Sequence, residues 1–166
     1  MPIDQVRMTQ ATDTDTDRVV AALGGASFVA DRRRQLAGGS GVLLAAWHEA
    51  EAVGCVYISF EEADEAELRE RRPGTPVLHR LLVVEHLRRQ GIGRRLMQTA
   101  ENVARDRGCA RMALGLDLDN IDAERFYRRL GYTEWPYGLL DTFYIATVDG
   151  REVRVPEQCR VMEKHL

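Results

Sequence analysis

The chain has 166 residues, 45% hydrophobic and 30% charged, which suits one globular domain with a core and leaves little room for a second. A formal net charge of −3 excludes a general polyanion binder, so a basic cluster on this chain is there for a local reason. The opening MPIDQVRMTQ lacks a basic-then-apolar leader pattern, and the longest apolar run, Gly41–Trp47, is far short of a membrane span; a cytoplasmic protein with no membrane partner is expected.

In chain order, QVRMTQAT reads as a first strand, and TDTDTDRVVAALGG as a helix with Thr and Asp N-cap candidates and a stop at Gly24-Gly25. A second helix is expected from about Ser27 to Leu36, ending at Gly38-Gly39. Strands at Gly41–His48 and Val53–Phe60 form a hairpin around EAEA. The stretch EEADEAELRERRPGTP, closed by Pro73-Gly74, reads as an excursion from the core; from Glu61 to Arg72 it nets −3 and would suit a cationic amine. Val77–Val84 is the strongest buried-strand signal. Ile92, Leu96, Ala100 and Val103 recur at helical spacing before Gly108, the strand ARMALGL follows, and Ala123, Phe126, Tyr127 and Leu130 mark one face of a short helix ended by Gly131. FYIATVDGREVRV carries Asp149-Gly150 between strand-like arms and reads as a hairpin. Cys55, Cys109 and Cys159 are odd in number and have no C-x-x-C spacing, so neither a disulfide framework nor a metal site is expected; they read as packing residues.

Where the apolar strand ends at Val84, the chain turns through EHLRR and enters a helix at QGIG. The first amides of a helix have no intrahelical partner, and with the helix dipole they favour an anion by about 0.3–1 kcal/mol, up to ~2 when partly buried. Glycines let a phosphate approach the backbone, and Arg88, Arg89, Arg94 and Arg95 supply charge of the right sign. A diphosphate is the natural guest. The dinucleotide fingerprint fails because Leu96 stands where a third glycine is needed, and no Gly-Lys-Ser/Thr run exists for a Walker loop.

What remains, R-x-x-G-x-G from Arg88 to Gly93 after an apolar strand, closely resembles the acetyl-CoA signature of the GNAT superfamily of N-acetyltransferases. NIDAERFYRRLGY, Asn120 to Tyr132, resembles that family's second motif, in the usual order and at a usual distance. The resemblance implies a single N-acetyltransferase domain over residues 1–166, of mixed α/β class, with a central, mostly antiparallel sheet of about six to seven strands flanked by helices. It implies acetyl-CoA as co-substrate, its pyrophosphate held by backbone amides of Gln90, Gly91, Ile92, Gly93 and Arg94 with Arg88 and Arg89 nearby. The edge from Leu81 through Leu82, Val83 and Val84 would pair with the pantetheine arm like an added strand, and Asn120 would contact the same arm. Tyr127 matches the tyrosine that protonates the departing thiolate, a step for which a phenol of pKa about 10 is suited.

Presenting an alkylammonium of pKa about 10.4 as the free amine near neutrality costs ~4 kcal/mol, so a base or a water chain is required. His79, read as sharing a face with Val77, Leu81 and Val83, matches a histidine implicated in proton removal in the aralkylamine branch of the family. Glu61, Glu62 and Glu85 stand in reserve. EWPYG, Glu134 to Gly138, offers aromatics either for an acceptor pocket or for packing; the C-terminal hairpin lines the acceptor site or forms a homodimer surface. The expected activity is acetyl transfer from acetyl-CoA to a primary amine of a small molecule or peptide by direct attack in a ternary complex. The rival readings are a non-catalytic acyl-CoA sensor on the same fold and a nucleic-acid module built on RRQGIGRR, the latter disfavoured by overall acidity.

Overall fold

The computed structural model describes residues 2–166; Met1, inside the expected domain, lies outside the described residues. Strands β1 (Val6–Gln10), β2 (Gly41–His48), β3 (Glu51–Ser59), β4 (Val77–Val83), β5 (Arg111–Leu116), β6 (Thr133–Glu134), β7 (Leu140–Val148) and β8 (Arg151–His165) alternate with helices. These are α1 (Asp13–Leu23), α2 (Ala26–Asp31), α3 (Arg33–Gly38), α4 (Ala66–Arg71), α5 (Ile92–Asp106) and α6 (Ile121–Arg129). The sheet runs β1-β2-β3-β4-β5-β8-β6, with β7 paired along the first half of β8. All pairings are antiparallel except β4 with β5. The expected mixed sheet flanked by helices is the architecture found.

Local chemistry explains the elements. At the start of α1 a capping box closes, with the Asp15 amide donating to Thr12 Oγ1 and the Thr12 amide to the Asp15 carboxylate, each at 3.2 Å. The single helix expected over Ser27–Leu36 is two short ones, because Arg32 at φ −112°, ψ 7° leaves helical geometry. The acidic excursion contains α4, which buries only Leu68. The amphipathic period of α5 lays Ile92, Leu96, Met97, Ala100 and Ala104 against β2, β3 and β4, where each large side chain contributes about 1.5–3 kcal/mol of burial. The opposite face of the sheet carries a second cluster under α1 and α2, centred on Val19, Trp47 and Tyr57.

One internal carboxylate clamps α5 to the last strand. Glu101, buried, accepts from Lys164 Nζ at 3.0 and 3.1 Å and from the Tyr132 hydroxyl at 3.1 Å. Cys55 and Cys159 are buried, and Cys109 packs against the main core from a half-buried position. Among the described residues no helix is long and apolar enough to cross a membrane.

Candidate active site

The two parallel strands at the centre of the sheet hold together only at their starts. β4 pairs with β5 at Val77–Ala113 and Leu78–Leu114, and beyond Leu78 the strands diverge, leaving the β5-facing edge of β4 without a strand partner. Antiparallel pairing with β3 continues on the other edge through Val83, interrupted by an irregularity between Cys55 and Tyr57. The opposing break in β4 lies at Arg80, whose φ of +53° is the left-handed region that non-glycine residues rarely adopt. The alternation of side chains therefore slips. Leu81 and Val83 join the α5 face with Leu78, whereas His79 lies opposite Tyr57 on the other face, with Val77 and Leu82. The strict alternation expected for this strand, with His79 on the side of Leu81 and Val83, is corrected by that bulge.

At the far end of β4 the chain passes a short turn, Glu85–Leu87, and enters α5 through Arg88, Arg89, Gln90 and Gly91. Arg89 and Gly91 both take left-handed backbone, φ +58° and +91°, and no side chain caps the helix. The amides of Ile92, Gly93 and Arg94 thus start the helix without an intrahelical acceptor, and among the described residues none of them, nor those of Arg89, Gln90 and Gly91, has a backbone partner. At Gly91 a Cβ would sit 2.7 Å from Ile3 Cδ1, and the φ is one only glycine adopts cheaply. Gly93 fits for another reason: its Cα faces the Phe126 ring, 3.4 Å from where a Cβ would stand.

The arginines divide their work. Arg88 Nε donates to the Val83 carbonyl at 3.0 Å, tying the loop to β4, while Arg89 and Arg94 are exposed. Arg95, grouped with them by sequence, points away: its guanidinium donates to the carbonyls of Ile3 and Val6 at 2.7 and 2.8 Å and pins the N-terminal segment. Asn120 caps α6, its Oδ1 accepting from the Ala123 amide at 3.2 Å, and its side-chain nitrogen has no partner among the described residues.

A cleft of about 810 Å³ opens where β4 and β5 part. Tyr127 and His79 both line it, as do Leu81, Leu116 and, from the C-terminal hairpin, Phe143 and Tyr144. The Tyr127 ring packs edge-on to Phe126 and Tyr132, at 5.2 and 5.9 Å, and its hydroxyl has no hydrogen-bond partner among the described residues; burial pushes the phenol up to about 12. His79 sits between Phe28 and Tyr57, ring centroids 6.0 and 6.2 Å away. Burial first, and the Arg32 charge second, bring its imidazole down to about 4.

The reserve carboxylates separate clearly. Glu61 lines the cleft, but it accepts from Ser40 Oγ and Gln35 Nε2, both at 2.9 Å, and from Arg34, and these bonds lower its pKa. Glu62 also lines the cleft, whereas Glu85 belongs to the turn before the loop, outside the lining. EWPYG is packing: Trp135 is buried and donates to the Gly138 carbonyl at 2.6 Å, and neither it nor Tyr137 reaches the cleft. Sequence reasoning missed Phe28, Arg32 and Arg80, which line the cleft beside His79. Phe28 and Arg32 fell inside an expected helix and Arg80 inside an expected strand, with no residue-type signal to separate them.

The comparisons with known proteins agree with this arrangement. The model of the "Acetyltransferase (GNAT) family" matches residues 11–132. A curated relative, "GCN5-related N-acetyltransferase 4, chloroplastic" of Arabidopsis thaliana, is 31% identical over 106 residues, covering 56% of this chain and 36% of the relative. "Aminoglycoside N(6')-acetyltransferase type 1" of Serratia marcescens is 33% identical over 57 residues, 34% of this chain and 39% of that protein. The aligned parts thus span little more than a third of these relatives' own lengths. Among solved structures, a GNAT family acetyltransferase from Elizabethkingia anophelis with acetyl-CoA bound superposes with a TM-score of 0.65 at 16% identity, over 98% of this chain and 99% of the other. An acetyltransferase from Bacillus subtilis in complex with CoA gives 0.63 at 17% identity, over 98% of both. At such identities the likeness is one of fold. With the family model spanning both the loop and the second motif, the chain belongs to the GNAT family of acetyltransferases.

Proposed function

We propose that the chain is an N-acetyltransferase acting on a primary amine, with acetyl-CoA bound along the open edge of β4. The observation that carries this reading is an unpaired edge of β4 and a tyrosine hydroxyl without a protein partner among the described residues on one cleft, with a helix start of free amides following at the end of the same strand. The bound structures of the Elizabethkingia and Bacillus proteins support acyl-CoA as the co-substrate. Acetyl-CoA supplies an activated thioester, attacked directly by the amine in a ternary complex.

The protein's residues supply position and protons. Amides from Gln90 to Arg94 and the positive end of α5 hold the pyrophosphate, with Arg89 and Arg94 screening its charge. The open edge of β4 at Val83 offers its backbone to the pantetheine amides, flanked by Leu82, which pairs with β3, and Val84, whose amide is held by the Val53 carbonyl, and the Asn120 amide nitrogen adds a donor across the gap. Tyr127 holds its proton toward the sulfur. Full transfer from a phenol near 12 to a thiolate of pKa about 8.5 would be uphill in water, but burial raises thiols here too: Cys55 and Cys159 stand at about 11. Burial acts in the same direction on a sulfur leaving in this gap, which lessens the uphill step.

His79 takes the opposite proton as a relay. At about 4 it is neutral at working pH and has a lone pair to offer, yet it does not retain a proton taken from an ammonium; the proton passes on to water in the cleft. A screen of amines with acetyl-CoA, following free thiol release, tests the proposal. Turnover of at least one amine is expected, and CoA binding with no turnover of any amine would favour the non-catalytic sensor.

A further inference from the structure

Beside Phe28, two arginines of the cleft have no carboxylate partner; Arg154, on the hairpin, stacks on Phe143 instead. Arg32 and Arg80 both line the cleft, and among the described residues neither has an acidic oxygen within ion-pair distance, although Asp31 and Asp64 lie near Arg32. Both guanidiniums lean on one ring: Arg32 Cζ is 3.6 Å and Arg80 Cζ 5.4 Å from the centroid of Phe28. Burial lowers the Arg32 pKa; Tyr57, Asp31 and Asp64 oppose that shift, and the Arg80 charge adds a smaller lowering of its own. Among the described residues neither guanidinium has a carboxylate in contact with it, so both keep donors free for an anion entering the cleft.

The backbone holds both charges in place. Arg80 stands at the left-handed bulge of β4, and Arg32 at the break between α2 and α3, where it also donates to the Phe28 carbonyl at 3.2 Å. Gly25 makes the space: a Cβ there would lie 2.6 Å from Arg80 Nη2. His79, the proton relay of the proposed reaction, also neighbours Phe28, 6.0 Å between ring centroids.

We infer that Arg32 and Arg80 form a carboxylate seat, so that the acceptor is an amine bearing a carboxylate, an amino-acid-like molecule whose amine is presented beside His79. Planar guanidinium forks match a carboxylate in two-point contact. The cleft rim argues for a single negative charge rather than a dianion, since Glu61, Glu62, Asp64 and Glu65 also face it. The same rim suits the ammonium end of a zwitterion. This inference rests on the acetyltransferase reading and narrows its substrate.

The test uses the twenty free amino acids and the corresponding amino acid amides, with acetyl-CoA and thiol release for activity and calorimetric binding of the same compounds to the CoA-loaded protein. A free amino acid is expected to be preferred over its amide, and Arg32→Gln or Arg80→Gln should collapse that preference by about 10–100-fold, chiefly through KM, with CoA affinity kept. Arg32→Gln, at a helix boundary, guards against a folding defect of the bulge variant, and Arg80→Lys should restore only part of the preference. Equal use of acids and amides, or a preference that survives both Gln variants, overturns the seat. Should neither these compounds nor any amine of the wider screen be turned over, the acetyltransferase reading fails by itself; amino acids that still bind and lose binding in both variants uphold the seat, and amino acids that do not bind overturn it.

Discussion

Replacing Tyr127 with phenylalanine separates packing from chemistry because the ring and the hydroxyl do different things in this structure. The ring makes the edge contacts to Phe126 and Tyr132, which Phe retains; the hydroxyl has no partner among the described residues. Removing it breaks no protein hydrogen bond and ends the desolvation of a polar group, so stability should change by less than about 1 kcal/mol, or rise. If the phenol holds the proton for the departing sulfur, kcat should fall by about 10²–10⁴, which is roughly 2.7–5.4 kcal/mol of transition-state stabilisation. Steady-state thiol release at saturating acetyl-CoA measures the fall, calorimetry should show CoA affinity nearly intact, and thermal melting checks the fold. A phenol pushed up to about 12 stays protonated through pH 10, so the wild-type rate should show no alkaline decline from this group below that pH. A Phe variant with wild-type kcat would refute the assignment and return Tyr127 to the core.

Gly91→Val combines a left-handed φ with a Cβ 2.7 Å from Ile3 Cδ1, so it should lose CoA affinity and the stabilisation by CoA seen in melting, more severely than Gly93→Ala, whose Cβ only presses on Phe126. His79 binds its proton at about 4 when folded and about 6.5 when unfolded, so between those pH values the unfolded chain holds more protons and stability increases with pH. Denaturant titrations should show about 2–3 kcal/mol lost on acidifying from pH 6.5 to 4, a loss that His79→Gln removes. Glu101→Ala leaves Lys164 and the Tyr132 hydroxyl without their acceptor and should cost about 3 kcal/mol in the same titrations, against near neutrality for surface carboxylates such as Asp13.

Features written in residue type and period were legible before the structure. The helix start at Gly91, the helical recurrence of Ile92, Leu96 and Ala100, and the helix from Asn120 to Leu130 stand where their spacing put them. Features set by one residue's dihedral angles were not. Nothing in VLHRLLVV announces that Arg80 adopts φ +53°, yet that bulge puts Leu81 and Val83 on the face opposite His79. Arg95 differs from its neighbours only by helix phase, which turns it toward Ile3 and Val6 rather than the loop. The role of the C-terminal hairpin depended on how far it bends, and Phe143 and Tyr144 reach the cleft because β7 stays paired to β8 along its length; Thr142 also donates to Glu65 at 2.9 Å, fastening the arm to the acidic segment.

The bulge at Arg80 therefore deserves its own perturbation, since a non-glycine residue in left-handed backbone costs about 1–2 kcal/mol that glycine would avoid. Arg80→Gly releases that strain and the repulsion from Arg32, and it gives up the contact with Phe28, about 0.5–1 kcal/mol, together with about 0.5–1 kcal/mol of added unfolded-state entropy. These terms nearly cancel, so the melting temperature should change little. Turnover of amino-acid-like acceptors should nevertheless fall as it does in Arg80→Gln, because the bulge survives while its charge is gone. Stability held constant while acceptor use is lost would mean that strain at this position is kept for substrate recognition. A loss of several kcal/mol in Arg80→Gly would show instead that the arginine side chain itself holds β4 in shape, and the strain would then have a purely structural origin.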